Sequence, residues 1–65
     1  MNKDQRVAFI NSQSVCATAK IEAMKSENMK RESLGDSMAY TEKDFMSVPT
    51  EFGLDHNTVI DFLRD

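Results

Sequence analysis

Apolar and small residues in the first half of the chain recur in alternating steps of three and four. Val7, Ile10, Ser14, Ala17, Ile21, Met24, Asn28 and Arg31 fall on one line, which is the seam of a helix packed lengthwise against a partner. Ala8, Ser12, Val15, Cys16, Ala19 and Ala23 lie beside or near that seam, and such small side chains let two helices approach closely. Residues 3–33 contain neither proline nor glycine. As a helix that run extends roughly 45 Å at about 1.5 Å per residue, longer than a small monomer is wide. The seam is apolar through Met24 and polar at Asn28 and Arg31, where the helix either leaves the core or lines a wet pocket. Glu27 and Arg31 form an (i, i+4) ion pair of the favourable orientation.

Leu34-Gly35 stops this helix, with Gly35 where a left-handed residue is needed. Asp36 to Tyr40 is a connector. Thr41 is an N-cap with Asp44 three residues later, a variant of the capping box, so a second helix follows through Phe45, Met46 and Val48 to Gly53. Pro49 falls inside it and either kinks the helix or restarts it. Asp55 caps a short third helix whose Val59, Ile60, Phe62 and Leu63 face inward. The predicted fold is all-α in one domain, residues 1–65: one long N-terminal helix, then two short helices, assembled as a homo-oligomer through the long helix.

Length reinforces the oligomer. A 65-residue chain buries only about 60% of the surface its unfolded form exposes, and small domains compensate with disulfides, a metal or self-association. Cys16 is the only cysteine and His56 the only histidine, which excludes an internal disulfide and makes no metal cage. No apolar stretch approaches the roughly 20 residues that span a membrane. The polar Met1-Asn2-Lys3-Asp4 lacks the apolar core of a secretion signal, and with one cysteine the expected location is the cytoplasm, with no membrane partner.

Charge divides the chain. Residues 1–33 carry +2 and residues 34–65 carry −5, so the acidic half is expected to lie against the basic helix, in the same chain or a neighbour. A net-acidic chain is a poor polyanion binder, and a nucleic-acid partner is not expected. The segment from Glu51 to Arg64 resembles the turn and second helix of a helix-turn-helix, but its would-be recognition helix carries Asp55, Asp61 and Asp65 against Arg64 alone. Phosphate contact normally supplies much of the affinity, and here it is repelled.

The candidate ligand-binding residues are Asn28, Arg31, Tyr40, Lys43, His56 and Asn57. Tyr40, the only tyrosine, lies close in sequence to Arg31 and Lys43. A ring flanked by cations and amides suits a base-and-phosphate ligand, unless it simply packs over the helix end. His56 and Asn57 open the third helix, where outward N–H groups favour an anion. Lys20, Lys25 and Lys30 form a basic edge or a solvated face. The methionines are gap fillers or an adaptable binding surface. No spacing supports a catalytic set, so no enzymatic activity, metal or cofactor is expected.

The stretch Ile21-Glu22-Ala23-Met24, Glu27 to Arg31, Gly35 to Tyr40, Asp44-Phe45 and Phe52 to Asn57 looks like that of short helical proteins encoded by phages and prophages. The resemblance covers most of residues 21–63 and brings no binding residues with it. It implies an accessory protein acting in the bacterial host cytoplasm, in a class that includes antagonists of host defence. The function expected from it is a non-enzymatic oligomeric sponge sequestering a small anionic, nucleotide-like immune signal in crevices between subunits. The alternatives are a protein-binding inhibitor of a host factor and a small helix-turn-helix DNA-binding regulator.

Overall fold

The structure, a computed structural model, describes residues 1–64. It has three helices in chain order: α1, Lys3–Ser33; α2, Glu42–Glu51; and α3, His56–Leu63. They make a rod whose Cα atoms span 51 × 18 × 10 Å. Both short helices fold back onto α1, and they pack on α1 rather than on each other.

Local chemistry sets each boundary. Asn2 caps α1: its Oδ1 accepts from the Gln5 N–H at 2.7 Å, and Gln5 Oε1 accepts from the Asn2 N–H at 3.0 Å. This reciprocal pair satisfies two of the amides that a helix start leaves open. At the other end the Asp36 N–H donates to the Arg31 carbonyl (2.8 Å) and the Gly35 N–H to that of Glu32 (3.1 Å). That is a Schellman closure, and it needs the positive φ of 77° that Gly35 supplies. The same pattern ends α2, where Leu54 and Gly53 donate to Pro49 and Thr50. Asp44 Oδ2 accepts from the Thr41 N–H at 2.8 Å to open α2, as the Thr41/Asp44 spacing predicts.

Pro49 neither restarts the helix nor stops it; α2 runs through it to Glu51. The missing N–H would have served only the Phe45 carbonyl, and the helix ends two residues later. A proline so near the end disturbs little hydrogen bonding.

The core is small. Ala17, Met24 and Val48 are buried, and Ile21, Tyr40, Phe45, Phe52 and Leu54 pack around them. A satellite contact at the far end puts the Phe9 and Phe62 rings 5.5 Å apart and tilted by 47°, in the range of favourable aromatic pairs. Two cross-element hydrogen bonds fix the register. Gln13 Nε2 donates to the Phe52 carbonyl at 3.2 Å and Arg6 Nη1 to the Arg64 carbonyl at 3.0 Å.

Three expectations need correction. First, the α1 seam is covered from within the same chain along much of its length: Ala17 and Met24 lie under α2 with Val48, while Val7, Ser14 and Arg31 stay exposed. Arg31 lies beyond the reach of ten-residue α2, so the helix has left the core there. Second, Ile60 points partly outward (42% exposed), because Val59, Phe62 and Leu63 already fill the narrow face that α3 turns to α1. Third, α2 and α3 are not the crossed pair of a helix-turn-helix, since that motif requires the two helices to pack together.

Candidate functional site

Asn28 and Tyr40 are brought together, through the Tyr40 backbone. Asn28 Nδ2 donates to the Tyr40 carbonyl at 2.9 Å, and the Tyr40 N–H donates to Asn28 Oδ1 at 3.0 Å. One carboxamide thereby satisfies both main-chain groups of the residue before the α2 cap, an arrangement available only to an amide side chain. The polar end of the seam is thus a clamp on the connector.

Pinning Tyr40 there makes it one wall of a groove of about 320 Å³ between α1 and α2, lined also by Lys20, Met24, Asp44, Ser47 and Glu51. Across it Lys20 Nζ donates to Glu51 Oε1 at 2.7 Å. This is one point where the acidic half of the chain meets the basic helix. With Asp44 and Glu51 against one lysine, the groove is no ready receptor for an anion.

The remaining candidates lie elsewhere. Arg31 is exposed and its Nε donates to Glu27 at 3.1 Å, the predicted (i, i+4) pair. Lys43 is exposed in the first turn of α2, and His56 and Asn57 are exposed in the first turn of α3. Phe52, just before α3, sits at the level of Gln13, and α3 runs from there toward Arg6. Gln13 and Asn28 are 15 residues apart, about 22 Å along a helix axis, so one subunit does not gather His56 and Asn57 with Asn28 and Tyr40.

The start of α3 is also already occupied by an anion of its own. The Asp55 carboxylate accepts from the Thr58 hydroxyl at 2.8 Å and the Thr58 N–H at 3.3 Å. These two bonds, the hydroxyl first, hold its pKa below the ordinary 3.8. A carboxylate whose folded-state pKa is depressed stabilises the fold fully above the ordinary carboxylate range, and loses that contribution as pH falls through the lowered value. Asp55→Asn keeps a competent cap and removes the titration. Its melting temperature should therefore fall less than the wild type's on acidification, measured by circular dichroism across the carboxylate range.

The sequence left the methionines as gap fillers or an adaptable surface, and the structure divides them. Met24 is the gap filler, but Met29, Leu34, Met38 and Met46 are 67–72% exposed. All four lie in residues 29–46, the segment that makes the α1–α2 corner and the outer side of α2. The signal was the position of Met29 off the α1 seam and of Met46 away from Val48 in α2, with Leu34 and Met38 outside both helices.

Among the described residues no group of three or more His, Cys, Asp or Glu side chains could hold a metal ion, and no helix is long and apolar enough to cross a membrane. No protein family, curated protein or solved structure matches the chain.

Proposed function

We propose that this chain is a non-catalytic interaction protein that binds another protein through its α1–α2 corner and acts by occupying a partner's surface. The observation that carries this is the exposure of Met29, Leu34, Met38 and Met46. Exposed large apolar residues also occur at Val7, Phe9, Val15 and Ile60, but the four at the corner follow one another between residues 29 and 46; apolar side chains that share a surface mark association sites, and methionine adapts its shape to irregular partner surfaces. The likeness of residues 21–63 to small phage-encoded proteins is the sole support for a bacterial cytoplasmic setting and a host-factor target.

A small nucleotide-like anion is the second reading, favoured by Tyr40, whose clamped backbone holds it at the edge of the α1–α2 groove. Because the groove itself carries two carboxylates, such a ligand would need cations from a second subunit.

Native mass spectrometry of protein gently isolated from its host separates the two. The expected result is a stoichiometric protein complex that is lost when Met29, Met38 and Met46 are together replaced by serine while helicity is retained. A complex indifferent to those substitutions overturns the corner assignment, and a small-molecule adduct at regular stoichiometry transfers the function to the groove.

A further inference from the structure

The methionines of this chain fall into two chemical environments. Met24 is 3% exposed, whereas Met29, Met38 and Met46 are 68%, 68% and 72% exposed. Met29 lies in α1, Met38 in the connector and Met46 in α2. Met1 is also exposed, but it precedes α1 and lies roughly 40 Å from Met29 along that helix.

A thioether is an apolar group that a mild oxidant makes polar. One of its sulfur lone pairs attacks an oxygen of hydrogen peroxide, and the O–O bond breaks. The attacked oxygen stays on sulfur, and its proton leaves with the departing hydroxide as water. Sulfur is oxidised by two electrons, the peroxide is reduced, and the product is methionine sulfoxide. Leu34 has no such chemistry, so three of the four exposed apolar residues of the corner are convertible.

Exposure decides both where this reaction occurs and what it costs the fold. Met24 meets peroxide only in opened chains, which are on the order of 1% or fewer of the molecules of a domain this small. Met29, Met38 and Met46 meet it in the folded chain. Their side chains already stand mostly in water, so a sulfoxide there gives up little packing. At Met24 it would bury a polar group with Ala17 and Val48. The corner can therefore be changed chemically while the core methionine is spared.

We infer that Met29, Met38 and Met46 are a modification site, converted to sulfoxides by hydrogen peroxide in the folded chain, which turns the corner from apolar to polar. Methionine sulfoxide reductases, one for each epimer, reverse the change, so the corner is a redox switch. That the switch releases a protein partner rests on the reading of the corner given above; the modification itself does not.

Peroxide treatment of the intact chain, followed by peptide mass spectrometry, tests the assignment. Cys16→Ala serves as the parallel sample, because the exposed Cys16 thiol also consumes oxidant. Positions 29, 38 and 46 should oxidise roughly tenfold or more faster than Met24. Helicity by circular dichroism should be unchanged, and the oxidised chain should elute earlier from a hydrophobic-interaction column until the reductases restore it. Comparable oxidation of Met24, or loss of helicity as the corner reacts, overturns the inference. Replacing the three together by leucine keeps the corner apolar without sulfur, and peroxide should then leave the elution in place. A shift equal to the wild type's puts the change at Met1 or elsewhere and overturns the site. Peroxide should also dissociate a complex isolated from the host. A complex that persists with all three methionines oxidised overturns the switch and leaves the corner as a docking surface. Absence of any complex overturns the docking reading alone, since the modification is measured on the free chain.

Discussion

Met24→Ala should leave the chain largely unfolded at room temperature. Met24 is 3% exposed and forms the buried core with Ala17 and Val48. Truncating a buried methionine to alanine costs about 2–5 kcal/mol in lost transfer energy and cavity. A single core in a domain of this size seldom supplies more than about 3–5 kcal/mol, so the loss is comparable to the whole stability. Far-ultraviolet circular dichroism with urea titration checks this. Met29→Ala is the control: the same chemistry at 68% exposure should move the midpoint little. Equal effects at positions 24 and 29 would mean that α2 does not rest on α1 as described.

The contrast between those two methionines shows what the sequence makes legible. A run without proline or glycine, closed by Gly35, delimits α1 because backbone freedom is a property of single residues. The Thr41/Asp44 and Asp55/Thr58 pairs are equally legible, since the hydrogen bonds of a cap close over three residues. The Asn2/Gln5 box has the same spacing and was readable in the same way. What spacing does not decide is which side of α1 receives α2 and α3, because two stripes at helical period compete on one helix. The stripe with Ile10, Ile21 and Met24 has the larger side chains and takes the cis contacts, so Ala8, Ser12, Val15 and Ala19, expected beside that seam, face outward instead. Lys20–Glu51 and Asn28–Tyr40 join residues 31 and 12 apart, so they exist only once that choice is made. Among the six candidate ligand residues, Asn28 is the clearest case of a polar seam position that serves the fold.

Asn28→Ala should therefore cost stability whether or not a ligand is present. It removes both bonds to the Tyr40 backbone and leaves a half-buried N–H and C=O without a protein partner. An unsatisfied buried group costs about 1–3 kcal/mol, and partial access to water brings the expected loss for the pair to about 2 kcal/mol. Asn28→Asp tests the geometry more sharply. The introduced carboxylate still accepts from the Tyr40 N–H, but at neutral pH it sets a second oxygen against the Tyr40 carbonyl, with no proton to share. Protonation restores the donor, so the folded state binds that proton more tightly than the unfolded chain does, and the group's pKa is raised on folding. Its penalty is thus full above the folded-state value and shrinks as pH falls through it. Relative to wild type, Asn28→Asp should be weakened at neutral pH and recover part of the difference in acid, whereas Asn28→Ala should not recover. Urea midpoints of the three proteins across that range decide the matter: parallel curves would show that the Asn28 amide does not clamp Tyr40, and an Asn28→Ala midpoint equal to wild type would return this residue to the surface as a candidate ligand contact.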